Sequence, residues 1–158
     1  FLRHKRGRHF VLMLLFFFLT QLLTRRYAMA QARTEEVTYV VTMSINGKSE
    51  TEVDRFCEFY QKLVDGNEPT TLAWQFFRGP EGKIFVIERY RNADAALQHI
   101  TNISPGGIAE DEFKDFSDHF SIEMILIHGD VSEGLEEAIL ATGLPVEYRN
   151  PIAGYSRN

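Results

Sequence analysis

The sequence predicts an α+β domain built on an antiparallel sheet, and three observations predict it. Residues 36–45 (EVTYVVTMSI) alternate strictly, with Val37, Tyr39, Val41, Met43 and Ile45 on one side, the period of a strand. Residues 49–67 instead place Val53, Phe56, Cys57, Tyr60, Leu63 and Val64 at helical intervals. Two further alternating runs are separated only by Gly79-Pro80-Glu81-Gly82, a link so short that the strands must pair antiparallel.

The first strand ends at Asn46-Gly47, and Ser49 with Glu52 has the spacing of a capping box that opens the helix. Asp65-Gly66-Asn67 closes it. Residues 70–78 form the second strand, with Leu72, Trp74 and Phe76 opposed to Ala73, Gln75 and Phe77. Residues 83–90 form the third, with Ile84, Val86, Glu88 and Tyr90 opposed to Phe85, Ile87 and Arg89. Apolar residues on both faces predict a sheet covered on both sides, by helices on one and by a partner chain on the other. Asn92 or Asp94 caps a helix over 94–103 whose inner face holds Leu97, Ile100 and Ile103. Ser104-Pro105-Gly106-Gly107 interrupts it before a short helix, 110–116, that turns Phe113 and Phe116 inward. Residues 120–128 (FSIEMILIH) make the fourth strand, which completes a ferredoxin-like βαββαβ order. A last amphipathic helix over 130–141, an edge strand over 145–149 and an arm over 151–158 follow.

The totals bound what such a domain does. A chain of 158 residues holds one domain of ordinary size with a real core. The net charge of −5 hides an asymmetry: residues 1–33 are basic and hold no acid, so all 22 acidic residues lie beyond them. That acidic body argues against nucleic acid or an anionic membrane as its partner. The single cysteine, Cys57, excludes an internal disulfide and any multi-cysteine metal site. Its place in the helical stripe marks it as a structural thiol. Residues 10–19 are wholly apolar, and extending the run to Leu23 still leaves it short of the roughly 20 residues of a spanning helix. With the basic residues before it and Ala28-Met29-Ala30 after it, this stretch looks like an export signal. Arg25 and Arg26 interrupt that pattern, and Met29 is a natural initiator. The expectation is therefore a cytoplasmic domain over 34–158 with a leader over 1–33 outside the fold. Export or anchoring through residues 1–30 is the alternative.

The segment ending ERYRNADAALQHI, after an aromatic strand and a tight turn, resembles the antibiotic biosynthesis monooxygenase-like family. Tyr90, Arg91, Asn92, Ala96-Leu97 and His99 fill its pattern of strand-end aromatic, polar turn and ALxxH helix, and residues 116–120 correspond to its later aromatic-and-His segment. The likeness covers about residues 37–128. It implies a dimeric α+β barrel, in which two sheets pack face to face. It also implies quinol or anthrone monooxygenases that need no metal or flavin. Related haem-degrading members use an Asn on the first strand with a Trp and a His further on. Here that strand offers Thr42 and Ser44, with Asn46 only at its turn, and His99 stands where the Trp is expected, so haem binding or degradation is a runner-up, behind a non-catalytic binding dimer.

Oxygen attacks an electron-rich quinol or enol without a cofactor once the substrate is deprotonated, which takes an apolar pocket, a base and donors for the oxyanion. His99 is the candidate base, since imidazole titrates near neutrality. Trp74, Phe76, Tyr90, Phe113 and Phe116 are candidate pocket walls, Tyr39 a candidate donor, and His119 a further ligand contact. The plainer readings are a structural His99, a strand-capping His119, aromatics in core or dimer interface, and Glu88 with Arg89 as a solvated or interface pair. A non-catalytic dimer binding a small hydrophobic molecule is the competing function. The sequence has no HExxH, paired-cysteine or EF-hand pattern, and no GxGxxG, P-loop or nucleophile elbow.

Overall fold

The computed structural model describes residues 35–154; the leader expected over 1–33 and the end of the C-terminal arm lie outside them. The elements run β1 (Val37–Ile45), α1 (Glu50–Asn67), β2 (Thr71–Arg78), β3 (Ile84–Tyr90), α2 (Ala93–Ile103), α3 (Glu110–His119), β4 (Phe120–His128), α4 (Glu133–Ala141) and β5 (Val146–Arg149). Local chemistry sets the helix starts. Ser49 and Glu52 form the capping box of α1, Asn92 accepts from the Ala95 amide at α2, and Ser132 accepts from the Leu135 amide at α4. The last of these starts α4 three residues later than its periodicity predicts. The chain first passes through Gly129 at φ 120, where a Cβ would stand 2.5 Å from the Glu36 carbonyl oxygen. Helix α3 runs on to His119, beyond the predicted 116, because the Phe116 carbonyl still accepts the Phe120 amide.

The five strands lie in the order β2-β3-β1-β4-β5. The first four pair antiparallel, while β5 lies parallel to β4. Helix α4 supplies the crossover that a parallel pair requires. One face of the sheet is the core: Val37, Tyr39, Val41, Met43, Ile84, Val86 and Tyr90 are all buried. The buried hydrophobic residues of all four helices belong to the same cluster. In β4 the register against β1 shifts between Thr42 and Met43, so Ile122 pairs with Met43 but Ile125 with Val41. This bulge leaves Glu123 outside the pairing and puts Phe120, Ile122, Ile125 and Ile127 on one face despite their mixed parity. The opposite face carries Val40 between Ile87 and Leu126, and Thr42 between Phe85 and Met124, all half-buried. Among the described residues the helices thus cover one face of a sheet whose other face is also apolar.

Candidate active site

The register of the sheet assembles the site. At one level across the five strands, Trp74 pairs with Glu88, Glu88 with Tyr39, Tyr39 with Ile127, and Ile127 with Tyr148. Side chains directly opposite on one face stand close together. This level therefore carries an indole, a carboxyl and a phenol side by side in otherwise apolar surroundings. Above it lies a cavity of about 60 Å³ lined by Tyr39, Trp74 and Glu88 from the sheet. Its wall also includes His99 and Ile100 of α2, Phe113 and Phe116 of α3, Ile139 of α4, Val146 of β5 and Leu144 in the turn between the last two. A benzene-sized cavity measures roughly 150 Å³, so an aromatic ring enters only when some of these walls move outward.

Of the residues singled out from the sequence, Tyr39, Trp74, His99, Phe113 and Phe116 line this cavity. Tyr90 lies just behind it, fully buried, with its ring 5.6 Å from that of His99. Phe76 and His119 are elsewhere. Phe76 stacks on Phe120, and His119 stacks on Phe56 at 4.1 Å with its Nδ1 2.8 Å from the Asp115 carbonyl. Asn46 is tied to Ser117 and Ser121, 3.0 and 2.7 Å away, at the far end of β1. No cluster of metal-ligating side chains occurs among the described residues.

His99 is 5% exposed, and its Nδ1 stands 3.0 Å from Oε1 of Glu68. Glu68 caps the C-terminal end of α1 and also accepts from Asn102 at 3.0 Å and from the Thr71 hydroxyl at 2.9 Å. Burial works to raise the Glu68 pKa, but its bonds to His99, Asn102 and Thr71 outweigh it and hold the carboxylate below its ordinary range. Burial likewise works to lower the His99 pKa. The Glu68 bond and the negative charges of Glu68 and Glu88 outweigh it and raise it. Because Glu68 occupies Nδ1, Nε2 is the ring nitrogen left for the cavity.

Glu88 corrects the sequence reading. It is neither solvated nor paired with Arg89, whose guanidinium instead contacts Glu36. Glu88 is 5% exposed, lines the cavity, and accepts from the Tyr90 hydroxyl at 2.6 Å. Burial pushes its pKa up to about 7 against the opposing pull of His99 and Tyr90. The signal was present in the strand: Glu88 shares the parity of Ile84, Val86 and Tyr90, the inward face. Among the described residues, three buried polar atoms near this level lack a partner: the Tyr39 hydroxyl, the Trp74 indole nitrogen and the Tyr148 hydroxyl. Unpartnered buried donors are uncommon, and two of the three belong to cavity-lining residues.

Fold and site together define a ferredoxin-like α+β protein with an apolar cavity between sheet and helices, carrying a histidine–carboxylate pair and unspent donors. The chain matches no protein-family model and no curated protein. Among solved structures it is similar to MupZ from Pseudomonas fluorescens, with 22% identity and a TM-score of 0.60 over 78% of this chain and 95% of that one. It is also similar to SnoaB, a cofactor-independent oxygenase from Streptomyces nogalater, with 13% identity and a TM-score of 0.48 over 62% of this chain and 95% of that one. The likeness to MupZ establishes a shared fold, not a shared activity.

Proposed function

We propose that this chain is a cofactor-independent monooxygenase acting on a small quinol- or anthrone-like aromatic, working as a homodimer. The observation that carries this reading is the Glu68–His99 pair at an apolar cavity whose Tyr39 and Trp74 donors have no internal partner. In this scheme Nε2 of His99 takes a proton from the substrate, and Glu68 holds the resulting imidazolium. The substrate anion passes one electron to oxygen, and the radical pair joins as a carbon–oxygen bond. The imidazolium returns its proton to the peroxide, and loss of water then leaves a carbonyl. For an anthrone the balance is CH2 plus O2 giving C=O plus H2O. Tyr39 and Trp74 donate to the oxygen on which negative charge develops. Leu144 and Val146 swing outward to admit the ring.

Oxygen uptake by the purified protein with a panel of anthrones and hydroquinones tests the reading, beside His99→Ala. Uptake well above the uncatalysed rate and lost in the variant is the expected result. Retained uptake in the variant removes His99 as base, and no uptake across the panel leaves binding of a hydrophobic molecule as the function. The active form needs neutral His99, whose pKa is raised above 6.5. The rate is therefore expected to climb with pH to a midpoint above that value, and a flat profile between pH 5 and 9 would remove the imidazole from the rate-limiting step.

A further inference from the structure

Glu88 has no role in the scheme above, yet it occupies the middle of the polar level. Its neighbours across β2 and β1 are the two cavity residues whose donors are unspent, Trp74 and Tyr39. Tyr39 is 5% exposed, so its hydroxyl has neither a protein partner nor open solvent. Glu88 has the Tyr90 hydroxyl on one oxygen, but the two donors that flank it have no partner among the described residues, and one that satisfies them has to come from outside those residues. The geometry favours one kind of partner. Tyr90 takes one oxygen of Glu88, and the other, Oε1, accepts whenever the group is ionised, so a guest that donates a hydroxyl proton suits it. An indole N–H only donates, and the Tyr39 hydroxyl has a proton to give, so the guest must also present an oxygen that accepts. The apolar walls require the rest to be ring or alkyl carbon. Opposed residues on neighbouring strands are spaced at ~4.8 Å, the order of the separation of oxygens in a 1,3-dioxygenated ring.

We propose that Trp74, Glu88 and Tyr39 form a recognition row for a 1,3-dioxygenated phenol, Glu88 accepting a hydrogen bond from its hydroxyl and Tyr39, one strand away, donating to its second oxygen, with the Trp74 indole on the other side of Glu88. The proposal rests on the functional reading above only for the cavity being the ligand site, not for the oxygen chemistry. The groups facing Glu88 are Tyr90 on its own strand, Tyr39 on β1, Tyr60 of α1, Glu68 at the end of α1 and His99 on α2. His99 is the one cation among them, and it is already engaged by Glu68. The Glu88 oxygen that Tyr90 does not use, Oε1, is therefore open to a guest hydroxyl. Loss of that proton from an unoccupied Glu88 places a second carboxylate beside Glu68, whereas a bound phenol hydroxyl offsets the charge with a hydrogen bond.

Trp74 is the single tryptophan of the chain, so its fluorescence reports on the row directly. The full chain is titrated with 1,3-dihydroxynaphthalene and with 1,3-dimethoxynaphthalene, which keeps the ring and the acceptors but has no proton to give. The expected result is at least ten-fold tighter binding of the dihydroxy compound, with that preference collapsing to about two-fold or less in Glu88→Gln. Tyr39→Phe is the second variant. It removes a hydroxyl without an internal partner, so the fold has nothing to lose, and affinity for both compounds is expected to fall several-fold. Equal binding of the two compounds, no binding of either, a preference kept in Glu88→Gln, or unchanged affinity in Tyr39→Phe would each overturn the proposal. Selective binding without oxygen uptake supports it while overturning the oxygenase.

Discussion

Three titrating side chains around the cavity pull stability in different pH directions. Glu68 has a lowered pKa, so its contribution is present above its unfolded value near 4.5 and is lost as the pH falls. His99 and Glu88 are raised, so theirs are present below 6.5 and 4.5 respectively and are lost as the pH rises through the folded values. For Glu88 the move from 4.5 to about 7 corresponds to about 3 kcal/mol given up between mildly acidic and alkaline pH. Melting temperatures of the wild type should therefore fall from pH 5 to pH 8 more steeply than those of Glu88→Gln, which cannot ionise and still accepts from Tyr90. Parallel curves would show that Glu88 is hydrated in the folded state. Glu68→Ala strips the partner from His99, Asn102 and Thr71 together and is expected to destabilise by about 3 kcal/mol in denaturant titration.

At the scale of elements, the C-terminal segment is the part most exposed to test. Helix α4 contributes Ile139 to the cavity wall, strand β5 contributes Val146, and the turn between them contributes Thr142 and Leu144, with Gly143, at φ 68, in that turn. That turn rests on few internal bonds, its Gly143 amide reaching Leu140 at 3.2 Å and the Leu144 amide reaching the Thr142 hydroxyl at 3.2 Å. Leu144→Ala is expected to widen the mouth and speed ligand entry several-fold in stopped-flow quenching of Trp74. Its stability penalty should be about 1–2 kcal/mol, since the side chain is only half-buried. Unchanged entry rates would place the way in elsewhere, for example beside the edge strand β2. The caps of α1 and α2, Ser49 with Glu52 and Asn92, were legible in the sequence because they act on the backbone within three residues, whereas Ser132, which starts α4, was not picked out. The parallel pairing of β5 was not, since it depends on where α4 returns the chain.

For the molecule as a whole, the apolar face of the sheet that no described helix covers is the surface to test. Val40 sits centrally on it, between Ile87 and Leu126, and no helix among the described residues packs there. The homodimer proposed above would bury this face against its copy, as paired sheets in other proteins stack about 10 Å apart. Light scattering at micromolar concentration is expected to give the mass of two chains for the wild type and of one for Val40→Lys. A single-chain mass for both would remove the dimer. No helix among the described residues is long and apolar enough to cross a membrane.

The sequence alone determined the order of the elements and the inward face of β1, because hydrophobic periods and capping boxes are local and act along the chain. On α2 it picked Leu97, Ile100 and Ile103, whereas the helix buries Ala95, Ala96, His99, Ile100 and Asn102. Val37, Tyr39, Val41 and Met43 were assigned to one face by alternation, and all are buried. Contacts between elements were decided only in three dimensions. Glu68 and His99 are 31 positions apart, and nothing in either segment announces that the cap of α1 meets the middle of α2. The bulge in β4, which brings Ile125 and Ile127 inward, appears only once β1 supplies a register. The same holds for Glu88. Its parity was readable, but burial of a carboxyl between Trp74 and Tyr39 follows from strand registers, and a register is a property of pairs of strands rather than of either one.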